Sequence, residues 1–271
     1  MRTIAHLSDL HFGRVDGALL APLEAFLADI NPDLLVVSGD LTQRARSAEF
    51  IAARAFLDSL PGCKIVVPGN HDIPLHNVFA RFIKPLAKFQ RHITEDLEPF
   101  YADDEVAVLG INTARSLTIK NGRVNEAQIE LVRTRLSGVD ARVIKILVTH
   151  HPFDLPAHLG SHDLVGNAPQ AISQFSKCGV DLLLAGHFHT TQTIGTSERY
   201  KVGGYSALAI QAGTATSTRG RGETNSFNIL RTEPGRVEID RISWESGSGT
   251  FTKTDAQVFK STRNGWVYSQ P

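Results

Sequence analysis

Five short apolar runs in this chain each end in a cluster of aspartate, asparagine or histidine. Runs of about four to six residues rich in valine and isoleucine indicate strands that are buried on both faces. The five clusters that follow such runs are Ser8-Asp9-Leu10-His11, Ser38-Gly39-Asp40, Pro68-Gly69-Asn70-His71-Asp72, Thr149-His150-His151-Pro152 and Gly186-His187-Phe188-His189. Because ligand sites of open α/β sheets form outside the carboxyl ends of the strands, we expect these side chains to meet at one edge.

Helical patterns separate these strands in the first two thirds of the chain. They cover Ala18–Ile30, Ser47–Leu60, Asn125–Leu136 and Ala168–Ser176. Alternation of strand and helix predicts an α/β fold with parallel strands and right-handed crossovers. After Gly186 the pattern becomes strand-rich, which predicts a mixed or antiparallel second half packed as another sheet. We therefore expect one domain over residues 1–271, with two packed mixed β-sheets flanked by helices.

Composition excludes several classes of protein. Lysine plus arginine number 28 against 28 aspartate plus glutamate, so zero net charge gives no whole-surface affinity for nucleic acid or membrane. No apolar stretch of about 18 residues exists, and the N-terminus lacks a secretory pattern, so no membrane partner is expected. Cys63 and Cys178 stand apart without a CxxC neighbour. They are interpreted as buried thiols in a reducing compartment, which favours a cytoplasmic protein.

The gathered polar residues have the chemistry of metal ligands. Carboxylates and imidazoles that leave water are costly unless something satisfies them, and mixed ligation of this kind suits iron, manganese or zinc. Asp9 and His11 are two residues apart, as are His187 and His189. In an extended segment each pair would share one face, with the apolar residue between them directed to the core. A glycine precedes three of the candidate ligands, which would permit tight turns there.

The ordered set DxH, GD, GNHD, H and GHxH resembles the calcineurin-like dinuclear metallophosphoesterases. Within them it is most similar to the bacterial class III cyclic-nucleotide phosphodiesterases. The resemblance runs from Asp9 to His189, roughly two thirds of the chain. It implies a four-layer αββα sandwich, and two divalent or trivalent metal ions per chain drawn from iron, manganese and zinc.

The same resemblance implies a role for each motif residue. Asp9, His11 and His189 would bind one metal, Asn70, His150 and His187 the second, and Asp40 would bridge the two. His71 matches the family's non-ligand histidine that faces the scissile phosphate, and Asp72 would orient it. We expect hydrolysis through a metal-bridging hydroxide, with His71 as the proton donor.

The residues around the motifs restrict the class of substrate that we expect. Gly-Asp-Leu-Thr-Gln-Arg and Gly-Asn-His-Asp differ from the GDxVDRG and GNHE of serine/threonine phosphatases. A histidine at position 71, rather than arginine, disfavours the lipid A-pathway pyrophosphatases. A small phosphodiester such as a 3′,5′-cyclic nucleotide is therefore favoured, with no nucleic acid partner. A phosphomonoesterase, a nuclease and a catalytically silent metal-binding scaffold remain alternatives, and a homodimer remains open.

Residues outside the motifs give weaker signals for substrate contact. Asn112 and Arg115 follow the Val106–Leu109 strand, where a capping asparagine and a solvated arginine are the alternatives. Arg219 and Arg221 lie in the polar loop 214–225, and arginine suits planar oxyanions, although a surface turn is equally compatible.

Other histidines and phenylalanines have mainly structural interpretations. His151 should point away from the metals because it directly follows a ligand. The segment 154–167, with His158 and His162, is long enough to form a lid, although both are expected to be surface residues. Phe79, Phe82 and Phe89 have helical spacing that indicates core or an interface, and His76 is expected to be structural.

Overall fold

Two β-sheets lie face to face in the protein, whose computed structural model describes residues 1–75, 77–118, 120–156, 160–219 and 222–270. His76, His158 and Arg221 fall outside the described residues. In spatial order, the strands of the first sheet are β13 (Gly265–Ser269), β12 (Thr250–Thr262), β11 (Arg236–Glu245), β10 (Ser226–Glu233), β1 (Arg2–Leu7), β2 (Leu34–Ser38) and β3 (Cys63–Val67). Those of the second are β4 (Phe100–Ala102), β5 (Val106–Gly110), β6 (Ile144–Val148), β7 (Leu182–Ala185), β9 (Leu208–Gln211) and β8 (Gln192–Gly195).

Helices cover the outer face of each sheet. They are α1 (Leu20–Ile30), α2 (Ser47–Ser59), α3 (Val78–Ile83), α4 (Ala87–His92), α5 (Glu126–Ser137) and α6 (Ala168–Cys178). Leu27 and Phe50 belong to the core between the first sheet and α1 and α2, while Val132 and Ile172 belong to the core beneath α5 and α6. A third core, which includes Val36 of β2 and Ile146 of β6, fills the space between the sheets. The prediction of two mixed sheets flanked by helices is confirmed, in four layers.

Local sequence sets the ends of the helices. Asn125 caps α5, since its side chain accepts a hydrogen bond from the backbone N–H of Gln128. Asn31 ends α1 with φ 46°, directly before a proline that cannot continue the helix. Gly179 ends α6 with φ 72°, a left-handed conformation that glycine adopts without steric cost.

The strands after residue 186 do not form a separate sheet, so that expectation is wrong. β10 pairs antiparallel with β1 and continues through β11, β12 and β13, while β8 and β9 join the parallel strands of the second sheet. The physical reason is the free edge of β1, because β2 pairs with only one of its sides. An added antiparallel strand satisfies the backbone groups that this edge would otherwise leave open.

The two cysteines differ in exposure. Cys178 is buried at the end of α6, as expected, whereas Cys63 is exposed at the start of the edge strand β3. The expectation of two buried thiols is therefore wrong for Cys63, since the first residue of an edge strand has no neighbour to cover it. Among the described residues, no helix is long and apolar enough to cross a membrane.

Candidate metal centre

Polar side chains from five strand ends converge where the two sheets meet. Three of these ends belong to the first sheet, after β1, β2 and β3, and two belong to the second, after β6 and β7. The side chains that gather there are Asp9, His11, Asp40, Asn70, His150, His187 and His189. The structure thus brings together all seven residues that the motifs singled out.

One group of ligand atoms surrounds the carboxylate of Asp9. Its Oδ1 lies 3.2 Å from Nε2 of His189 and 3.5 Å from Nε2 of His11. The two Nε2 atoms are 3.4 Å apart, and all three side chains are buried. Three potential ligand atoms therefore face one another, in the arrangement needed to share a cation.

A second group surrounds the amide oxygen of Asn70. That Oδ1 lies 3.0 Å from Nε2 of His150 and 3.1 Å from Nδ1 of His187. The two ring nitrogens are 3.2 Å apart. Ligand atoms about 2.0–2.1 Å from a shared metal lie roughly 3–3.5 Å from each other, so both groups have spacings that fit a metal ion.

Asp40 lies between the two groups. Its Oδ2 is 3.7 Å from Nε2 of His11, and its Oδ1 is 3.4 Å from Nε2 of His150. Each oxygen thus faces a different group, which is the position of a bridging carboxylate. The backbone N–H of His71 donates to Oδ1 at 2.8 Å and fixes the carboxylate in this orientation.

Asp9 and His11 do not belong to an extended segment, and neither do His187 and His189. Their φ angles are 53°, 49°, 76° and 60°, in the left-handed region that side chains other than glycine rarely adopt. Such residues cost about 1–3 kcal/mol each and persist where the surroundings hold them. The shared face was predicted, but the geometry behind it was wrong: the backbone N–H of Asp9 donates to the carbonyl of Gly39 at 3.1 Å, which bends the chain toward β2.

Two glycines matter through close approach rather than through a left-handed turn. A Cβ at Gly69 would lie 2.1 Å from Oδ1 of Asp40, and one at Gly186 would lie 1.8 Å from Oγ of Ser8. Of the three glycines that directly precede candidate ligands, Gly39 is the one with the conformation expected of a tight turn, at φ 93°. The strand ends therefore pack so closely that two of them tolerate no side chain next to the ligands.

The charge states of the cluster suit metal binding. Burial alone would raise the pKa of Asp9, but the imidazoles of His11 and His189 beside its Oδ1 hold the pKa well below its usual range, so the carboxylate is ionised. Oδ1 of Asp9 and Nδ1 of His11 have no hydrogen-bond partner among the described groups. Burial and the neighbouring His150 lower the pKa of His187 to about 3, which leaves its imidazole neutral and able to ligate.

Burial opposes a positive charge at His150, but Asp40 outweighs it and raises the pKa of His150 to about 9. The cluster therefore favours a cation beside Asp40. An ionised buried carboxylate with an unpartnered oxygen, surrounded by imidazoles, is a donor set that fits iron, manganese or zinc.

Backbone carbonyls fix the orientation of two of the imidazoles. Nδ1 of His150 donates to the carbonyl of Ser38 at 2.8 Å, and Nδ1 of His189 donates to the carbonyl of Arg219 at 3.1 Å. In the neutral form of either ring, which metal binding requires, this leaves Nε2 as the lone pair that faces the cluster. Partners of this kind set the tautomer of metal-binding histidines.

His151 supports its neighbours and does not offer a free ring nitrogen. Its Nε2 donates to the carbonyl of Lys120 at 2.9 Å, so Nδ1 accepts from the hydroxyl of Thr113 at 2.8 Å. Burial and the adjacent His150 and His187 hold its pKa well below the usual range. Its ring packs 4.7 Å from that of His187 and braces it. Thr113 is a residue that sequence reasoning missed, although it directly follows Asn112.

His71 lies at the rim of the cluster, with its ring 4.9 Å from that of His11. Nδ1 of His71 donates to the backbone carbonyl of Gln43 at 2.9 Å, and Nε2 lies 3.0 Å from Nη1 of Arg219. The guanidinium also contacts the Gln43 amide oxygen at 3.4 Å. Gln43 was not predicted, and its place three residues after Asp40 is the only signal that could have found it.

Asp72 does not orient the His71 ring, so that expectation needs correction. Its carboxylate accepts hydrogen bonds from the backbone N–H groups of Leu41, Thr42 and Gly69 and from the Thr42 hydroxyl. Burial and the nearby Asp40 raise the pKa of Asp72 to about 6. Asp72 thus ties the turn after β3 to the loop after β2, and the ring of His71 is held by Gln43 instead.

Of the three arginine and asparagine candidates for substrate contact, only Arg219 reaches the cluster. The side chain of Asn112 accepts from the N–H of Ala114 at 2.9 Å, as in an ordinary turn. Arg115 donates to the carbonyls of Asn112 and Ala114 and to the side chain of Gln128. The described hydrogen bonds of both side chains are local, and their expected contact with substrate stays a prediction.

The two described ends of the expected lid segment are anchored beside the cluster. Leu155 and Leu164 pack with Phe188, the apolar residue between two ligand histidines. His162 is exposed and pairs with its neighbour Asp163 at 3.2 Å, as expected of a surface histidine. The remaining lid candidate, His158, and the second loop arginine, Arg221, lie outside the described residues.

The fold and the cluster together define a class of protein. The protein is a metal-dependent hydrolase of phosphoric ester bonds. This class is defined by an αββα sandwich that carries two groups of aspartate, asparagine and histidine side chains at its strand ends. The sequence pattern of the calcineurin-like phosphoesterases matches residues 2–191. The chain belongs to the calcineurin-like phosphoesterase family, which confirms the resemblance seen in the motifs.

Individual relatives are distant. The 3′,5′-cyclic adenosine monophosphate phosphodiesterase CpdA of Escherichia coli strain K12 is 28% identical over 203 residues, which cover 69% of each chain. The glycerophosphodiester phosphodiesterase GpdQ of Enterobacter lignolyticus is 27% identical over 165 residues, which cover 56% of this chain and only 58% of that protein. Among solved structures, a dimetal phosphatase from Danio rerio superposes with a TM-score of 0.67 at 13% identity, covering 96% of this chain and 99% of that one. This last likeness bears on the fold alone.

Proposed function

We propose that residues 1–271 act as one metal-dependent phosphodiesterase unit whose substrate is a small phosphodiester such as a 3′,5′-cyclic nucleotide. The observation that carries the proposal is Asp40, whose two oxygens face two separate groups of ligand atoms. Asp9, His11 and His189 would hold one metal ion, Asn70, His150 and His187 the other, and Asp40 would contact both. Two metal ions bound in this way supply Lewis-acid activation and charge neutralisation for displacement at phosphorus.

The pair of His71 and Arg219 is the proposed contact to the scissile phosphate. In the structure, Arg219 donates to Nε2 of His71, and Nδ1 of the same ring already donates to the carbonyl of Gln43. A phosphate oxygen is a stronger acceptor for a guanidinium than an imidazole nitrogen. Substrate would therefore draw Arg219 from His71, free Nε2 and place negative charge beside the ring. In that state His71 can carry a proton at Nε2 and donate it to the leaving alkoxide.

Relatives favour a diester over a monoester. Both CpdA and GpdQ are named for the hydrolysis of phosphodiesters, one of a cyclic nucleotide and the other of glycerophosphodiesters. Neither match exceeds 28% identity, so a panel of diesters must decide between these substrates. Iron, manganese and zinc are all compatible with the donor set, and the metal pair is best found by measuring the content of the purified protein.

The test measures turnover by metal-reconstituted protein of 3′,5′-cyclic AMP, a glycerophosphodiester, bis-p-nitrophenyl phosphate and p-nitrophenyl phosphate. We expect the diesters to be preferred and chelation to abolish turnover. For His71→Ala we expect a loss of about 10²–10⁴-fold with cyclic AMP, whose leaving alkoxide needs a proton, and a smaller loss with the activated p-nitrophenyl ester. Metal content should stay near two ions per chain.

The matched control is His162→Ala, because His162 is exposed and outside the cluster. It should leave both turnover and metal content unchanged. Faster turnover of the monoester would replace the diesterase proposal with a phosphomonoesterase. Loss of both metal ions in His71→Ala would make His71 a ligand, and flat low rates across the panel would contradict the cyclic-nucleotide assignment.

A further inference from the structure

Helix α3 is oriented with its apolar side toward solvent and its charged residue toward the protein. Val78, Phe79, Phe82 and Ile83 are all exposed, Phe79 to 76%, whereas Arg81 is only 6% exposed. Globular proteins usually place such residues the other way round. This inversion needs an explanation, because four large apolar side chains on two turns of helix gain nothing from contact with water.

The inversion is built into the structure by hydrogen bonds from Arg81. Its guanidinium donates to the carbonyls of Ser116 at 2.8 Å, Thr118 at 2.7 Å and Pro74 at 3.3 Å. These contacts use three of the five donors of the buried guanidinium and fix α3 against the 116–118 loop. Leu117, which lies between two of the acceptors and is 88% exposed, is thereby held beside the helix.

The exposed side chains form one surface. Of the ten large apolar side chains that are exposed in the described part of the chain, six lie here: Leu75, Val78, Phe79, Phe82, Ile83 and Leu117. We call these six residues the apolar patch. Contiguous apolar surface of this kind marks an interaction site, since scattered single residues would need no partner.

The chain segment that carries most of the apolar patch has charges of one sign. Between Asp72 and Glu95 the chain contains four lysines and arginines and no aspartate or glutamate, although the whole chain is balanced at 28 against 28. Lys84 and Arg91 are exposed beyond the end of α3, and exposed Arg44 lines the cavity of about 340 Å³ that also contains His71 and Leu75. Apolar residues with cations at their border match the outer layer of an anionic bilayer.

The same charges argue against a second copy of this chain as the partner. A two-fold contact would bring the apolar patch against itself and would place the flanking cations of both copies in one interface, with no acidic residue of the same segment to offset them. We propose that the apolar patch docks this protein on an anionic phospholipid surface, with Phe79 and Phe82 entering the interfacial layer and Lys84 and Arg91 meeting the headgroup phosphates. This docking replaces the expectation of no membrane partner and is independent of the proposed reaction.

The test is co-sedimentation of the full chain with vesicles of phosphatidylcholine alone and with roughly one third phosphatidylglycerol, at low and high salt. The protein should sediment with the anionic vesicles at low salt, and less at high salt because screening weakens the contact. Phe79→Ser/Phe82→Ser should weaken binding at least roughly tenfold, from the loss of buried apolar surface. Lys84→Gln/Arg91→Gln should cost roughly fivefold per cation, on anionic vesicles only.

The matched control is Ile51→Ser on α2, which removes an equally exposed apolar side chain outside the apolar patch. It should bind vesicles like the unchanged protein, and all of these variants should hydrolyse soluble bis-p-nitrophenyl phosphate at the unchanged rate. Failure of the unchanged protein to sediment at low salt would overturn the proposal, as would equal binding by the phenylalanine double variant. A dimer that this double variant dissociates, without vesicle binding, would assign the apolar patch to a second copy instead.

Discussion

Replacing Gly186 with alanine tests whether the metal centre depends on the close packing of strand ends. A Cβ at this position would lie 1.8 Å from Oγ and 2.8 Å from Cβ of Ser8, and 2.6 Å from Oδ2 of Asp9. Ordinary contacts of this kind are longer than about 3.4 Å, so something must move by more than an ångström. Ser8 is fully buried and donates to both Asp9 and the carbonyl of Ser38, so it has no open side to move into.

The expected magnitude has two parts. Overpacking of a tight core costs about 1–3 kcal/mol, which for a chain of this size lowers the unfolding temperature by roughly 3–10 °C. Displacement of Asp9 would also break the 2.9 Å hydrogen bond from the backbone N–H of His187 to Oδ2, which aligns two ligands. Loss of such supporting contacts typically weakens metal binding about 10–100-fold. We therefore expect Gly186→Ala to fold with reduced stability and to lose metal at concentrations that saturate the unchanged protein.

The assay combines thermal unfolding followed by circular dichroism with metal content after dialysis against graded metal buffers. Gly138→Ala is the matched control, because a Cβ at Gly138 meets nothing within 4 Å and its φ of −83° suits alanine. This control should be neutral or slightly more stable. If Gly186→Ala kept both the unfolding temperature and the metal affinity of the control, close packing at the strand ends would not be what positions Asp9.

Four other perturbations have defined outcomes. Thr113→Val leaves the buried Nδ1 of His151 without its hydrogen-bond donor, which costs about 1–3 kcal/mol of stability. Metal binding, measured by titration calorimetry, should weaken about tenfold. Unchanged affinity would mean that packing alone holds the ring of His151. Arg219→Ala removes the guanidinium but keeps the backbone carbonyl, so KM for a diester should rise while metal content stays constant, and a fall in metal content would refute the proposed role. Burial lowers the pKa of His6 to about 3, below its unfolded value of about 6.5. Between these two pH values the unfolded chain binds one proton more than the folded chain. The free energy of unfolding should therefore fall by up to about 1.4 kcal/mol per pH unit as the pH drops from about 6.5 to 3. His6→Asn should flatten this part of the profile in urea titrations, and an unaltered slope would contradict the assignment. Chelation should lower the unfolding temperature, since metal present at about 1,000 times its dissociation constant stabilises the folded chain by about 4 kcal/mol.

Sequence patterns predicted the parallel strands and a strand-rich segment after residue 186, but they missed β12 and β13 and did not show which sheet the late strands join. Strands such as β2 and β6 are buried on both faces and therefore read as continuous apolar runs, which are easily recognised. β12 is mostly exposed or half-buried over Thr250–Thr262 and carries many polar residues, so it gives little apolar signal. Which sheet a late strand joins depends on a free edge far away in sequence, and no local pattern contains that information.

The residues that meet in the cluster were predictable, whereas the contacts that hold them were not. The seven ligand candidates lie in motifs whose order and spacing are fixed by the strands before them. Gln43, Thr113 and the carbonyl of Ser38 act through backbone geometry and hydrogen bonds between separate loops. The same holds for Asp72. Its residue type and position were noted in the sequence, but its hydrogen-bond donors Leu41 and Thr42 lie on another loop and could not be predicted. Residue type can identify a ligand, but a supporting contact depends on tertiary structure.

The position of the metal centre also bears on how the two sheets align. The layer between the sheets is made of apolar side chains, and apolar burial has no directional preference, so it permits many relative positions of the sheets. Hydrogen bonds that cross between the sheets are directional: the N–H of His187 meets Asp9, and His150 meets the carbonyl of Ser38. These polar contacts occur at the strand ends that also carry the candidate ligands. The same residues therefore bring the ligand atoms together and fix the position of one sheet relative to the other. Each group of candidate ligands contains residues from both sheets. A change that shifts one sheet relative to the other would therefore pull the members of each group apart, even where every candidate ligand is retained.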